Sequence, residues 1–383
     1  MLETTARVTP LHGQHAGLGA AFTDFGGWQM PLKYTSELAE HHAVRRAAGL
    51  FDLSHMGEVW VSGTQAGDFL DYALVGRLSA LSVGRAKYSL LCAEDGGIID
   101  DLISYRRAED RYLLVPNAGN TSAVVAALHH RAAGFDVEVA DATVDTALIA
   151  IQGPAALDVL AALVPAAQVE AVATLRYYAA IEATTAGLDV LLARTGYTGE
   201  DGFELYLPHG QAPALWQALL AAGVDRGLLP AGLASRDSLR LEAGMPLYGN
   251  ELSRGVDPYA AGLGGMVALS SPGDFVGRAA LEAAKAAHEA ATEPGAGHAG
   301  RRVLVGLKGT GKRAARAHQH VMAAGATVGE VTSGAPSPTL GYPIALAYVD
   351  PAHSSVGTTL EVDVRGTAHP FEVVRPPFYT RSG

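Results

Sequence analysis

The sequence predicts an α+β protein with largely antiparallel sheet, split into two or three domains, the last of them mostly β. Three observations carry this. The 383 residues exceed what one simple hydrophobic core holds. Helical and alternating patterns follow one another irregularly, without the repeated strand–helix–strand spacing of a parallel sheet. Beyond residue 300 the chain turns to short strand-like runs between turn residues.

The elements follow in order. Residues 36–48 have helical spacing, with Ser36 as N-cap and Gly49 as stop. Residues 58–63 alternate like a strand, and 65–73 look helical. A strand over Ala86–Cys92 ends at Asp95-Gly96-Gly97, a strong turn signal. Strands at 98–106 and Arg111–Val115 follow, then a helix from about 120 to 133. Residues 147–152 form a strand, and 154–163 and 211–222 form helices. Residues 286–300, rich in Ala, Gly, Glu and His and containing Pro294, are the expected linker. After it, the one helical pattern is at 314–324.

Composition narrows the function classes. Hydrophobic residues make up 49% and charged residues 17%, which marks a globular chain. Net charge is −11 with no Lys/Arg-rich run, so nucleic acid is not an expected partner, and an anionic ligand needs locally placed arginines. The single cysteine, Cys92, excludes a disulfide framework or cysteine-based zinc site within the chain and fits a reducing, cytoplasmic setting. The first residues lack an apolar signal core. The most apolar region, near 147–167, is broken by Gln152, Gly153-Pro154, Asp158 and Pro165, so no membrane span is expected.

The densest chemical signal is Arg194-Thr195-Gly196-Tyr197-Thr198-Gly199-Glu200-Asp201-Gly202-Phe203-Glu204. Glycines allow close backbone approach, aromatic faces allow stacking, and a carboxylate accepts from a paired N–H edge. These are the parts of a pocket for a flat, nitrogen-rich heterocycle, or of a strand–turn–strand. A second signal is Gly96-Gly97-Ile98-Ile99-Asp100-Asp101-Leu102. Neighbours on a strand face opposite sides, so Asp100 and Asp101 diverge and one of them points inward. The block from Gly232 to Gly244 reads as a helix with Arg236 and Arg240 four apart, suited to a solvated face or to a substrate carboxylate.

Other motifs fail on chemistry. Gly306-Leu307-Lys308-Gly309-Thr310-Gly311-Lys312 has phosphate-loop spacing, but Arg313 replaces the hydroxyl residue that holds magnesium. It reads as a basic turn after a strand. His41 and His42 point to different helix faces, and with Glu40 and His55 they do not make a metal site. Gly262-Leu263-Gly264-Gly265 lacks dinucleotide-loop spacing.

Taken together, the words resemble the aminomethyltransferase, or T-protein, family of the glycine cleavage system. The matching words are Glu40-His41-His42-Ala43-Val44-Arg45, Gly49-Leu50-Phe51-Asp52-Leu53-Ser54-His55-Met56-Gly57, the 96–102 and 194–204 stretches, and Ala234 through Gly244. Val331-Thr332-Ser333-Gly334, Ser337-Pro338-Thr339-Leu340-Gly341 and Pro377-Phe378-Tyr379 complete the set. The resemblance implies three domains in a cloverleaf-like arrangement around a central folate channel: 1–54 with 140–240, 55–139 with 241–285, and 301–383. It implies transfer of an aminomethyl carbon from the dihydrolipoyl arm of H protein to tetrahydrofolate, giving 5,10-methylenetetrahydrofolate and ammonia, with no metal. By the same resemblance Asp101 is the key acid beside the reactive folate nitrogens, and Glu204 holds the pterin. Tyr88, Tyr197, Arg236 and Tyr379 are folate contacts, and Met56 and Asn117 are further pocket positions.

The chain departs from the family in two places. Gly265-Met266 follow Gly264 where Trp is frequent, and Thr380 follows Tyr379 where Lys is usual, with Arg381 next. An alternative within the superfamily is a tetrahydrofolate-dependent demethylase, which shares the pterin site but not the carbon donor. A folate-binding iron–sulfur assembly factor is disfavoured, because Asp274 stands where that group carries cysteine.

Overall fold

The computed structural model describes residues 6–292 and 301–381. Contacts divide the chain into two compact units, one of Met1–Phe69, Leu78–Tyr88 and Leu102–Asp237, the other of Leu70–Arg77, Ser89–Asp101 and Ser238–Gly383.

The first unit is built on a six-stranded sheet. Its order is Ala180–Thr185, Leu188–Ala193, Gly202–Pro208, Thr146–Gln152, Ala48–Asp52 and Leu228–Pro230. All neighbours are antiparallel except the last pair, in which Leu228 sits opposite Ala48. Ile149, Ile151, Leu192, Phe203 and Leu205 pack with Val159 and Leu160 of helix Ala156–Ala161 and with Leu215, Trp216 and Leu219 of helix Ala212–Gly223. Trp216 is fully buried. Burying one large apolar side chain of this kind stabilises by about 2–3 kcal/mol.

Strands Arg7–Val8, Trp28–Lys33 and Ala21–Phe25 form a small separate sheet in the same unit. A five-stranded sheet has the order Ala86–Cys92, Ile98–Ala108, Arg111–Val115, Val59–Ser62, Glu138–Asp141.

The second unit contains a closed six-stranded barrel. Val303–Gly309, Pro343–Val349, Ala326–Pro336, His320–Ala323, Thr359–Val364 and Thr367–Val374 pair in turn, and the last pairs back with the first. Leu307, Val331, Ala347, Val362 and Phe371 fill it. Closure removes unpaired strand edges. Its two tight hairpins turn at Ala324-Gly325 and Arg365-Gly366, both residues of each pair having positive φ. That is the turn geometry whose twist matches paired strands. Also in this unit, helix Arg278–Thr292 sets Leu281 and Ala284 against Leu90, Cys92 and Ile98.

Most expected elements are present, including Ala86–Cys92 and Arg111–Val115 with the expected ends. Three expectations are corrected. The helix expected over 36–48 ends at Arg46, and Gly49 lies inside strand Ala48–Asp52, because the sheet claims those residues. Residues 314–324 are not helical: His318 and Ala324 have φ of 66° and 48°, and His320–Ala323 pair with Ala326–Pro336. The expected linker begins too early, since helix Arg278–Thr292 runs through it. Its alanines favour helix, and Arg278–Glu282 and Lys285–Glu289 are i,i+4 ion pairs. Residues 293–300 lie outside the described residues. Among the described residues no helix is long and apolar enough to cross a membrane.

Candidate functional site

In the first unit the 194–204 stretch joins strand Leu188–Ala193 to strand Gly202–Pro208. Gln152 organises it. Its amide Nε2 donates to Thr195 O at 3.1 Å, and its Oε1 accepts from Thr198 Oγ1 at 3.0 Å. The backbone passes so close that a Cβ on Gly196 would lie 2.0 Å from Gln152 Oε1, and one on Gly202 2.5 Å from Nε2. Gly202 is held to glycine by approach, since its Cβ would also lie 2.6 Å from Ile151 O, whereas a Cβ on Gly196 would displace the Gln152 amide. Arg194 grips Asp201 through both Nε and an Nη, and Arg45 binds Glu200 at 2.9 Å. Both acids are thus consumed in shaping the turn.

Glu204, nine-tenths buried, is differently placed. Its Oε2 accepts from Thr195 Oγ1 at 2.5 Å and from Tyr105 Oη at 3.3 Å. Its Oε1 accepts no hydrogen bond from any described residue. One oxygen is anchored and the other is open. Arg236, on helix Leu233–Glu242, stacks its guanidinium over Tyr197 at 4.7 Å, an attraction of about 0.5–2 kcal/mol. None of its donors is used in a hydrogen bond or ion pair among the described residues. Burial pulls this guanidinium below its usual range, and the nearby Tyr197 and Glu204 oppose that shift.

His55 lies beside this group, fully buried, with the edge of Phe25 at 5.5 Å. Its Nδ1 has no hydrogen-bond partner. Burial lowers its pKa to about 4; Asp52 pulls the other way, and the Arg236 charge adds to the lowering. The imidazole is therefore neutral near pH 7. Met56 follows it, partly exposed. Asn117, also partly exposed, precedes the single turn Ala118–Asn120 and accepts Thr121 Oγ1 on its carbonyl at 3.2 Å. Tyr88 is half-buried on strand Ala86–Cys92.

The second unit holds Asp101 and Tyr379. The two acids of the 96–102 word diverge as strand geometry demands: Asp100 is fully buried and Asp101 half-buried. Tyr248 lies near both, and its phenol is raised by burial and by the two carboxylates while Arg254 opposes. Its hydroxyl donates to Ile98 O at 3.1 Å.

Glu242, fully buried, accepts from Ser337 Oγ and from Thr339 N and Oγ1, the latter two at 3.0 and 2.8 Å. Its carbonyl accepts the backbone N–H groups of Phe378 and Tyr379 at 3.0 and 2.8 Å. Three words far apart in sequence thus meet at one residue. Arg240 likewise bonds Ser333 Oγ at 2.7 Å and Glu251 at 2.9 Å. It is a buried structural arginine, whereas Arg236 presents its charge. Gly306 and Lys308 lie inside strand Val303–Gly309 and residues 310–312 form a bend after it, the expected basic turn after a strand.

Sequence reasoning did not single out Tyr105, Tyr206 or the part played by Thr195. Thr195 stood in the dense stretch, but Tyr105 reaches Glu204 from 99 positions away, and nothing local signals that. Among the described residues no cluster of His, Cys, Asp and Glu could hold a metal ion.

Comparison with known proteins agrees with this arrangement. The GCVT N-terminal domain family matches residues 11–271, and the glycine cleavage T-protein C-terminal barrel domain matches residues 302–380. The aminomethyltransferase of Saccharopolyspora erythraea is 55% identical over 380 residues, covering 99% of this chain and all of that one. That of Moorella thermoacetica is 45% identical, covering 97% and 98%. The crystal structure of glycine cleavage system aminomethyltransferase T from Bartonella henselae superposes with a TM-score of 0.86 at 38% identity, covering 98% of each chain. The chain belongs to the glycine cleavage system T-protein, or aminomethyltransferase, family.

Proposed function

We propose that this protein is a cytoplasmic, tetrahydrofolate-dependent aminomethyltransferase that takes the aminomethyl carbon from the dihydrolipoyl arm of H protein and delivers it to tetrahydrofolate, giving 5,10-methylenetetrahydrofolate and ammonia. The observation that carries the reading is the pair of open groups in the first unit. Glu204 offers one unbonded carboxylate oxygen, and Arg236 offers a guanidinium held by stacking alone. A pterin presents a paired N–H edge and a flat ring, and the folate tail carries carboxylates. An acceptor, an aromatic face and a free cation match those three features.

Tetrahydrofolate, when bound, supplies the nitrogens that accept the carbon. Glu204 would take the pterin N–H edge, and Tyr197 and Tyr88 would cover its face. Arg236 would meet an anionic part of the ligand. Met56, Asn117 and Tyr379 are assigned to lining roles. Asp101 is assigned to orienting the acceptor and assisting proton movement as the C–S bond breaks, partly by electrostatic stabilisation of developing positive charge.

The test is ammonia release from H protein loaded with aminomethyl on its lipoyl arm, with and without tetrahydrofolate. Strong folate dependence is expected, and its absence would favour the demethylase alternative. Asp101→Asn should lower kcat by about 10²-fold or more with folate still bound. Full turnover in that variant would remove Asp101 from its role.

A further inference from the structure

Behind Glu204 lies a chain of buried hydroxyls that the proposed reaction does not use. Tyr206 Oη donates to Tyr105 Oη at 3.2 Å. Tyr105 Oη is 2.9 Å from Thr195 Oγ1 and 3.3 Å from Glu204 Oε2. Thr195 Oγ1 donates to the same Oε2 at 2.5 Å. Both phenols and Thr195 are at least nine-tenths buried, and the tyrosine rings meet edge to face at 5.8 Å.

Counting protons gives the chain a direction. Each hydroxyl has one proton to donate. The Thr195 proton goes to Glu204, so Tyr105 must donate onward, to Thr195 or to Glu204 itself. The Tyr206 proton goes to Tyr105. Every proton therefore points toward one carboxylate oxygen, and each bond polarises the next. Burial and the Glu204 charge raise both phenols well above their usual range, which keeps them donors.

We propose that Tyr206, Tyr105 and Thr195 form a one-way donor relay that orients the Glu204 carboxylate, and that this sets ligand specificity for a ring edge that presents an N–H donor, not an acceptor or a methyl, to Oε1. With Oε2 saturated, the plane of the carboxylate is set and Oε1 is the remaining acceptor. A ligand edge that offers an acceptor or a methyl at this place leaves a buried carboxylate oxygen unpaired, which is costly. Tyr206 gives its hydrogen bond to Tyr105 and none to Glu204, so it is a positioning residue. The proposal rests on the folate reading above.

The experiment measures steady-state turnover of the full chain with two acceptors, tetrahydrofolate and an analogue with methyl in place of the pterin 2-amino group. Tyr206→Phe should raise KM for tetrahydrofolate about three- to tenfold, as for loss of one hydrogen bond, with kcat at saturation changed less than twofold. It should also shrink the preference over the methyl analogue. Thr195→Val should shrink that preference further, and Thr195→Ser, which keeps the hydroxyl, should restore it. If Tyr206→Phe does not fold, the two Thr195 variants decide alone. A lowered melting temperature with KM and preference unchanged would mean the phenols serve stability only, and would overturn the relay. A wild-type protein that does not use tetrahydrofolate would overturn the folate reading instead.

Discussion

His55 makes the acid stability of this protein predictable. Its imidazole is buried and neutral, with a pKa of about 4 against 6.5 in the unfolded chain. Between those values the unfolded state binds more protons than the folded state, so stability rises with pH across this window. On acidification the loss begins as pH falls through 6.5 and is complete below about 4. Lowering the imidazole from 6.5 to about 4, at about 1.36 kcal/mol per factor of ten in proton affinity, gives about 3 kcal/mol. With about 2.1 cal/mol/K of unfolding entropy per residue over 383 residues, that corresponds to roughly 4 °C in melting temperature. His55→Phe keeps a flat ring against Phe25 and removes the titration. The assay is calorimetric melting of both proteins from pH 7.5 to 4. Carboxylates titrate in both, so the difference between the two curves isolates His55. The wild type should lose about 4 °C more than the variant over this range. Parallel curves would refute the claim that the buried imidazole is uncharged.

Two further outcomes follow from buried charge. Glu58 is fully buried with neither carboxylate oxygen bonded, and burial, helped by Asp141, raises its pKa well above the usual range. The folded state then holds a proton that the unfolded state releases above pH 4.5, so this group destabilises increasingly as pH rises. Glu58→Gln should raise the melting temperature at pH 7.5, with the gain vanishing near pH 4; a constant gain at all pH values would contradict it. In the second unit, Glu251→Ala strips the fully buried Arg240 of its carboxylate partner at 2.9 Å. The expected loss is about 3–5 kcal/mol in urea unfolding, and a loss under 1 kcal/mol would show that the pair is not desolvated.

The sequence by itself determined the local parts. Alternation and turn residues located strands such as Ala86–Cys92, and Ser36 marked the start of a helix whose Ala39 N–H it caps. Strand periodicity alone required Asp100 and Asp101 to diverge, and they do. The dense stretch at 194–204 pointed to a heterocycle pocket or a strand–turn–strand, within which the family resemblance assigned Glu204 and Tyr197, and helical spacing put Arg236 and Arg240 on one helix. What the sequence did not contain is which groups would be left unbonded. Asp201 and Glu200 are spent on Arg194 and Arg45, while Glu204 keeps one oxygen open. Arg240 is spent on Glu251 and Ser333, while Arg236 is not. Those outcomes depend on partners 7 to 155 positions away, brought near by packing. The same cause explains the strand at His320–Ala323, where barrel closure overrides an alanine-rich helical pattern. Residue chemistry is a local property, but an unused donor or acceptor exists only once every neighbour is in place. The tertiary structure therefore decided which of the many acids and arginines remain available to a ligand.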